Sequence, residues 1–535
     1  MTDGTTLTNA ADPEPHEDTV RRVPALTVLA HPVASRIGQR ATLSTLAAGA
    51  RVALSRRAPG FATPGALWDA EPLDDPYISR RSWQLEPDVD GDLTLRRDGS
   101  TTALRVDEVR VDDAHPIASA RLDDGVVLEL GNRVALLLHR LPDPPAHRPA
   151  LPIDLVGDSE RMAQVHRAIA RVAALDVPVL VRGETGTGKE LVARALHRHG
   201  RAGRPFVAVS LGALTPSLAA AELFGSVKGA YTGAAHARAG HFRAADGGTL
   251  FLDEIGEAPG EVQAMLLRVL ETRQVVPVGA QTPVPVDVRL VAATDAPLEA
   301  RAAAGAFRTP LLHRLAAYEI WLPPLRHRRD DIGRLFLHFA REASAEMTPV
   351  PGLDRDDPGA PAWLPSRLMA RLARYDWPGN VRQLRNVVRQ MVIDAQGDVP
   401  LRMSPRLERL LVDAALGAVD GPSSRVGVVP ASAGGGDAMR PVDVTPEQLE
   451  AALRSNRFEP AAAARQLGIS RPSMYRLIRE HPRLQLVEDL DASAIRAALR
   501  EAEGVVAQAA LRLGVSARAL GRRVRRVRRE GMEGD

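Results

Sequence analysis

The sequence lacks cysteine and long apolar runs, and each absence excludes a class of protein. Without cysteine among its 535 residues, the chain forms neither disulfides nor thiolate metal sites, which disfavours zinc. No apolar run is long enough to cross a bilayer, and residues 1–17 are polar and acidic, unlike a signal peptide. We therefore expect a cytoplasmic protein with no membrane partner.

Lysine is nearly absent as well. Lys189 and Lys228 are the two lysines, and every other basic residue is Arg or His. Lys189 follows a glycine-rich segment, where a compact point charge suits phosphate oxygens better than the rigid fork of arginine. Chance accounts equally well for Lys228. The formal net charge of +3 conceals an acidic beginning and a basic end, so local charge is the better guide.

A chain of this length holds several domains, and its composition changes at two linkers. Pro142-Asp143-Pro144-Pro145 is the first, and residues 417–441, rich in Gly, Ser and Pro, are a flexible second. We predict a multidomain protein with an all-β sandwich at 22–141, an α/β domain at 153–395 with a helical lid from about 325, and all-α modules at 445–482 and 491–530.

The first domain consists of short apolar segments separated by turns. Apolar residues occupy every second position in 126–130 and in 134–138, with Gly131-Asn132 between them. This pattern predicts a β-hairpin.

Within this domain, Arg56 and the run Ile78-Ser79-Arg80-Arg81-Ser82 are spaced as in forkhead-associated domains, which the segment resembles. Those β-sandwiches bind phosphothreonine peptides. The resemblance implies that Arg56, Ser79 and Arg80 hold the phosphate by hydroxyl and charge-assisted hydrogen bonds. A phosphothreonine protein or a kinase would then be a partner. Ser82 replaces the family's histidine, so an interaction or inhibitory module without phosphopeptide binding stays an alternative.

Residues 179–196 combine a buried strand, a glycine-rich loop and a helix. In this context the backbone N–H groups of the loop and of the helix N-terminus point at the α and β phosphates of a nucleotide, and Lys189 reaches the β and γ oxygens. The sequence therefore predicts a nucleotide site built from Gly183, Glu184, Thr185, Gly186, Thr187, Gly188, Lys189 and Glu190.

Residues 247–254 form a second apolar strand, which ends in two acids. We expect Asp253 to hold Mg²⁺ and Glu254 to activate the attacking water. A surface pair of acids would not follow so apolar a run. ATP and Mg²⁺ are the predicted cofactors.

The hexapeptide Gly229-Ala230-Tyr231-Thr232-Gly233-Ala234 is the most specific motif. It resembles the GAFTGA signature with which one family of bacterial AAA+ ATPases contacts RNA polymerase carrying sigma-54, with Tyr231 in place of Phe. The glycines permit a sharp reversal. We expect a loop inserted in a helix, with Tyr231 and Thr232 exposed to the sigma-54 holoenzyme.

Resemblance to AAA+ proteins implies roles for four further residues. Thr294 would sense the γ-phosphate, and Arg382 would read the nucleotide state from the lid. Arg308 and Arg314 match arginines at the subunit boundary, where an arginine that enters a neighbour's ATP site adds roughly 10³ to 10⁵ in rate. That role requires a homo-oligomer, as in the family's hexameric ring; solvated helix arginines are the alternative.

The chain departs from this family at two positions of the predicted site. Ser210 stands where the family has the asparagine that holds the catalytic Glu, and Asp295 stands where it has Asn. A serine still donates a hydrogen bond to Glu254, from a shorter side chain. These two departures concern how ATP hydrolysis is controlled; the residues expected to carry out the reaction are present.

An internal repeat occupies the end of the chain, because residues 449–470 recur as 495–516 without a gap. Each copy contains an alanine-rich helix, a Leu-Gly turn and a serine that caps the next helix, which predicts a helix-turn-helix. The first copy resembles the Fis-type module of the same activator family. The resemblance implies contacts to upstream activator DNA, in the major groove and at phosphates, by Arg471, Ser473, Tyr475 and Arg476.

The second copy is more basic, with six arginines between Arg522 and Arg529. Arg522, Arg523 and the other arginines would make sequence-independent phosphate contacts with a steep salt dependence. Gly521 replaces the tyrosine of the first copy, and a packing or dimerisation unit is the alternative.

The motifs together predict an ATP-dependent transcription activator that binds upstream DNA and remodels sigma-54 RNA polymerase to open promoters. The alternative is a DNA-binding regulator on a degenerate AAA+ scaffold, which Ser210 and Asp295 motivate. The terminal modules disfavour an ATP-driven chaperone or helicase.

Overall fold

The structure is a computed structural model, which divides into two compact units, Met1–Pro422 and Ser423–Asp535. It describes residues 21–65, 69–143, 153–230, 236–405 and 407–408, and, in the second unit, mainly 446–456, 492–502 and 506–516 with single positions between and after them. Among the helices described, none combines the length and the apolar character needed to cross a bilayer.

The first domain consists of two antiparallel sheets, with strand orders β2-β1-β10-β9-β6-β7 and β3-β4-β5-β8. Side chains from both sheets, such as Trp83, Leu85 and Leu128, form one buried core. The elements are β1 Arg22–Ala30, β2 Arg40–Thr42, β3 Val52–Leu54, β4 Ser82–Pro87, β5 Leu93–Asp98, β6 Leu104–Val106, β7 Val109–Val111, β8 Ala114–Ile117, α1 Arg121–Asp124, β9 Val126–Leu130 and β10 Val134–Pro142.

The predicted hairpin is confirmed, since β9 and β10 pair with Leu130 opposite Val134 and Val126 opposite Leu138. Successive side chains of a strand point to opposite faces of a sheet. The even-numbered residues of 126–130 and 134–138 therefore fill the sandwich core. The other face is buried too, because Val127, Ala135 and Leu137 belong to the core of the lid.

The second domain is built on a five-stranded parallel sheet with strand order β12-β13-β16-β11-β17. Helices cover both faces, which explains the nearly continuous apolar strands. The elements are α2 Glu160–Val172, β11 Val179–Arg182, α3 Lys189–Gly200, β12 Phe206–Ser210, α4 Pro216–Phe224, α5 Gly240–Ala244, β13 Thr249–Asp253, α6 Gly260–Thr272, β14 Gln274–Val275, β15 Val284–Pro285, β16 Arg289–Thr294, α7 Leu298–Ala303, α8 Thr309–Leu315 and β17 Glu319–Trp321.

The register of this sheet brings the strand ends that carry the predicted site to one edge. Ser210 lies opposite Asp253, and Arg182 lies opposite Thr294. Ligands of open α/β sheets bind outside the carboxyl ends of the strands.

The lid contains α9 Ile332–Glu346, α10 Ser366–Arg374 and α11 Asn380–Ala395, preceded by one-turn helices at Leu325–His327 and Arg329–Asp331. Its core is centred on Phe336, Trp363 and Trp377. Residues on the outer face of the sandwich belong to the same core, so the sandwich and the lid share one continuous hydrophobic core.

The second unit contains α12 Pro446–Ser455, α13 Ala492–Glu501 and α14 Val506–Leu513. Two small cores are present, one for each copy of the repeat. Their members coincide after a shift of one repeat: Leu449 with Ile495, Ala452 with Ala498, Ala463 with Ala509, and Met474 with Leu520. The two copies of the repeat therefore place core residues at equivalent positions.

Candidate functional site

A cavity of about 420 Å³ lies where the phosphate-binding loop, the strand ends and the lid meet. The loop contributes residues 185–190. The strand ends contribute Asp253, Glu254 and Asp295, and the lid side contributes Arg328 and Arg382. The Lys189 ammonium and the three carboxylates at the strand ends therefore share one concave site, which Asp154 and Glu190 also line.

The phosphate-binding loop has the tight backbone that its glycines permit. Gly186 and Gly188 have φ values of +82° and +108°. A Cβ on Gly186 would lie 2.4 Å from the carbonyl oxygen of Gly379, so no larger residue fits there. Lys189 begins α3, and its Nζ donates to the carbonyl oxygen of Gly183 at 2.8 Å. The helix N-terminus and the ammonium group thus lie at the same end of the cavity.

Glu184 is in the predicted loop but its carboxylate is held by the lid. Arg326 Nη1 donates to Glu184 at 2.9 Å, and Asn380 Nδ2 donates to Glu184 and to the carbonyl oxygen of Thr185, both at 3.1 Å. The hydrogen-bonded Arg326 guanidinium lowers the pKa of Glu184. Our sequence analysis did not identify Arg326 and Asn380. Asn380 stands two positions before Arg382, so its place in the lid motif was the available signal.

The two acids that end β13 lie in the cavity, as the sequence analysis expected. Burial raises the pKa of Asp253. The hydrogen bond from the N–H of Glu254 and the positive charge of Lys189 partly offset this rise. Glu254 is exposed and has a left-handed φ of 56°, which is strained for a side chain of its size. Ser210 Oγ donates to Glu254 Oε2 at 2.7 Å. The shorter serine therefore reaches the glutamate.

The end of β16 presents Asp295, and not Thr294, to the cavity. Thr294 is 2% exposed, its hydroxyl accepts from the N–H of Ala296 at 3.0 Å, and it is not among the residues lining the cavity. Its neighbour Asp295 lines the cavity and accepts from Thr185 Oγ1 at 2.6 Å. The sensing role of Thr294 stays a prediction.

The three predicted arginines lie in two different places. Arg382 lines the cavity, and its backbone N–H donates to the carbonyl oxygen of Gly186 at 3.2 Å. Arg308 and Arg314 are exposed and lie outside the cavity of their own chain. Arg314 has an ion pair with Glu271 at 3.8 Å, which is weak at so exposed a position.

The hexapeptide belongs to the chain segment that connects α4 with α5. The segment starts at a two-stranded base, where the N–H of Ser226 donates to Arg238 O at 3.0 Å and the N–H of Arg238 donates to Ser226 O at 2.9 Å. Gly229 is exposed and has a φ of +81°. Ala230 follows it, and Tyr231, Thr232, Gly233 and Ala234 lie outside the described residues.

Two of the three predicted phosphopeptide residues are adjacent in the sandwich. The N–H of Arg56 donates to Ser79 O at 3.0 Å, and the Arg56 guanidinium pairs with Asp74 at 3.4 Å. Ser79 Oγ accepts from the N–H of Arg81 at 3.1 Å. Arg80 is exposed on the same loop.

Of the predicted DNA-binding residues, Arg523 is described and its side chain is half-buried. The remaining candidates lie outside the described residues: Arg471, Ser473, Tyr475, Arg476 and Arg522.

Comparison with known protein families covers the second and third parts of the chain. Residues 155–321 match the family described as the sigma-54 interaction domain, and residues 326–404 match the AAA+ ATPase lid domain. Residues 446–481 and 486–526 each match the bacterial regulatory protein, Fis family. Both copies of the repeat are therefore Fis-type modules, including the copy that lacks the tyrosine.

Individual relatives agree with these families. DNA-binding transcriptional regulator NtrC of Klebsiella pneumoniae is 49% identical over 46% of this chain and 50% of NtrC. Transcriptional regulatory protein ZraR of Klebsiella oxytoca is 40% identical over 65% of this chain and 73% of ZraR. The crystal structure of NtrX from Brucella abortus in complex with ATP is 30% identical, with a TM-score of 0.42, over 62% of this chain and 69% of that chain.

The chain spans about half the length of the NtrC proteins that it matches. It covers 73% of ZraR, and along this chain the matched domains follow in the order sigma-54 interaction domain, AAA+ lid and two Fis-type modules. The chain therefore belongs to the family of bacterial transcriptional regulators with a sigma-54 interaction domain of the AAA+ fold and a Fis-type DNA-binding end.

Proposed function

We propose that the chain hydrolyses ATP and uses the energy to remodel sigma-54 RNA polymerase at promoters, while its C-terminal modules hold upstream DNA. The observation that carries this proposal is the single cavity shared by Lys189, Asp253 and Glu254. The hexapeptide that resembles GAFTGA falls between α4 and α5 of the same domain in the chain. The proposed coupling runs from the nucleotide site to this segment, which would contact sigma-54.

The cavity suits ATP with Mg²⁺. Its volume and its loop of backbone N–H groups fit a triphosphate, and Lys189 adds the charge. Among the described residues, no group of three or more His, Asp or Glu side chains forms a metal cage. Asp253 would hold Mg²⁺ together with phosphate and water oxygens, the ligands this ion prefers, and the ion would supply positive charge against the phosphates.

Glu254 is the proposed base for the attacking water, and Ser210 orients it through the 2.7 Å hydrogen bond. Arg308 and Arg314 are exposed outside the cavity of their own chain. We place them in the ATP site of a neighbouring subunit, which requires a homo-oligomer, with a hexameric ring as the expected form.

The decisive experiment combines purified protein with sigma-54 holoenzyme and a promoter that carries an upstream site. The expected result is open-complex formation that requires ATP hydrolysis and is lost in Glu254→Gln. Deleting residues 229–234 should abolish open complexes while leaving ATP hydrolysis in place. Regulation that survives Glu254→Gln would contradict the proposal.

Asp295 and Ser210 favour a second candidate, a DNA-binding regulator on a degenerate AAA+ scaffold. Asp295 adds a carboxylate to Asp253 and Glu254 at the strand ends, and it accepts from Thr185 of the phosphate-binding loop. Under this candidate, the protein regulates its promoter without ATP turnover. Measuring hydrolysis in the wild type and in Asp295→Asn separates the two: turnover in the wild type excludes the degenerate scaffold.

For the sandwich, we propose a forkhead-associated-like sensor of phosphothreonine, with Arg56, Ser79 and Arg80 around the phosphate. The supporting observation is the 3.0 Å hydrogen bond that joins Arg56 to Ser79 beside the exposed Arg80. Phosphorylated and plain threonine peptides are compared in a pull-down with Arg80→Ala. Exposed Arg110 of the same domain provides the control variant Arg110→Ala. Equal capture of both peptides by the wild type would reject the sensor.

A further inference from the structure

A cluster of buried charges lies where the sandwich, the nucleotide cavity and the lid meet. It consists of Arg40 from β2 with Arg328, Asp330 and Asp331, which precede α9, and we call it the junction cluster. Arg328 is 2% exposed and Asp331 is 0% exposed. Charged side chains are rarely buried so deeply unless they are paired. The four groups therefore have to compensate one another.

Arg328 connects the junction cluster to the phosphate-binding loop. Its Nη2 donates to the carbonyl oxygen of Thr187 at 3.3 Å, and its side chain lines the cavity. Burial lowers the pKa of Arg328, and the carboxylates of Asp331 and Asp330 oppose this by favouring the charged form. The charge of the guanidinium beside the loop therefore depends on these two carboxylates.

Asp331 is already bound to the segment that begins α2. Its Oδ1 accepts from the N–H groups of Asp158 at 2.7 Å and Ser159 at 2.9 Å. A Cβ on Gly157, which has a φ of +142°, would lie 2.7 Å from Asp331 Oδ2. This carboxylate is thus fixed by the backbone of the ATPase domain.

Asp330 is held from the other side, by the sandwich. Its Oδ2 accepts from Arg40 Nη2 at 2.8 Å, across 290 positions of sequence. Burial raises the pKa of Asp330, and Arg40 is the strongest of the groups that lower it. Removing Arg40 would leave Arg328 as the one arginine of the junction cluster that opposes the charge of Asp330.

We infer that Arg328 is a positioning residue for the phosphate-binding loop and that Arg40 of the sandwich keeps it in place by holding Asp330. Without Arg40, the Asp330 carboxylate attracts the Arg328 guanidinium and withdraws it from Thr187. The inference rests on the proposed ATPase function, since it concerns the affinity of the same loop for ATP. Any displacement of the sandwich that breaks the Arg40–Asp330 pair then changes nucleotide affinity.

The test is a double-mutant cycle in the full chain with Arg40→Met, Asp330→Asn and both together. We measure the Kd of ATP by calorimetry, and KM and kcat for hydrolysis. Arg40→Met should raise Kd and KM about tenfold with kcat within about twofold, because the loop is displaced and the reacting groups are not. The double variant should return to within about twofold of the wild type, since no unpaired carboxylate remains.

The matched control is Arg36→Met. Arg36 is a similarly buried arginine of the sandwich, and its ion pair with Glu71 at 2.9 Å stays inside that domain. It should leave the Kd of ATP unchanged, even if it lowers the melting temperature. A merely structural role for Arg40 would make both arginine variants alike and would give no recovery in the double variant.

Two results would overturn the inference: wild-type Kd in Arg40→Met, or a double variant no better than Arg40→Met alone. If Arg40→Met does not fold, Arg40→Gln carries the same test, because it removes the charge that opposes Asp330 and keeps a polar side chain. An unchanged Kd in Arg40→Gln then counts against the inference. A wild-type chain that binds no ATP would instead refute the proposed function.

Discussion

The β-sandwich and the C-terminal modules differ in how they bury apolar surface. The sandwich shares its outer face with the lid, so Val127, Ala135 and Leu137 lie in one core with Phe336 and Trp363. Each C-terminal module has a core drawn from its own repeat copy. A domain that shares a core depends on its neighbour for stability, whereas a module with its own core does not.

Deletion of either region should show this difference most strongly. Removing residues 1–142 uncovers the apolar faces of α9 and α10, and we expect aggregation or a melting temperature lower by more than about 10 °C. Removing residues 423–535 should leave the melting of the remaining unit unchanged. Thermal denaturation and sedimentation of both truncated proteins provide the measurement. A soluble protein with wild-type melting after the first deletion would break the comparison.

Leucine truncations test the same difference with smaller changes. Leu137→Ala removes a side chain from the shared core and should cost about 2–5 kcal/mol in the unfolding of the sandwich and lid together. Leu453→Ala removes one from the first C-terminal module and should leave that transition in place. Denaturant unfolding, followed by the buried tryptophans of the first unit, reports the result. Separate transitions for sandwich and lid in Leu137→Ala would disprove a common core.

Gly333 of α9 tests how closely the lid approaches β1. A Cβ at this glycine would lie 2.5 Å from the carbonyl oxygen of Leu29, which belongs to backbone that cannot yield cheaply. We expect Gly333→Ala to cost about 1–3 kcal/mol of unfolding free energy. Gly260, at the start of α6, has open space around it and supplies the control Gly260→Ala. Equal stability of the two variants would show that the contact is loose.

Acid should weaken the sandwich through its buried histidines. Burial lowers the pKa of His139 to about 3 and that of His31 to about 4, from 6.5. The unfolded chain then binds more protons than the folded one below pH 6.5. The histidine contribution to stability is therefore fully present above about pH 6.5 and is lost as the pH falls towards the folded pKa values, by about 1.4 kcal/mol per histidine and pH unit.

The variant His139→Gln isolates this effect. In this variant the unfolding free energy should fall less between pH 6.5 and 5, and the difference from the wild type should be about 1.4 kcal/mol per pH unit, the contribution of one histidine. Comparison with the wild type is needed because burial raises the pKa of Asp331 to about 7. The folded chain keeps Asp331 protonated up to about pH 7, whereas the unfolded chain ionises it from about pH 3.8. This group therefore lowers stability as the pH rises, which is opposite in sign to the effect of the histidines. An identical pH dependence in variant and wild type would contradict the predicted role of His139.

Prediction from sequence worked where neighbouring residues carry the signal. The alternation of 126–130 and 134–138 predicted the hairpin, and the repeat predicted two like modules, whose cores match in the structure. The intervening residues Val127, Ala135 and Leu137 are apolar as well, which indicates a sheet buried on both faces. That signal was present, but it does not say which element covers the second face.

The sequence by itself determined the phosphate-binding loop, the acidic strand end and the Fis-type repeat, because each is a short motif whose function depends on adjacent residues. Tertiary structure alone decided that Glu184 is held by the lid, that Asp295 and not Thr294 lines the cavity, and that Arg40 pairs with Asp330. Such contacts join residues that are distant in the sequence. Their pairing follows from how the domains pack, and it leaves no periodic pattern in the sequence.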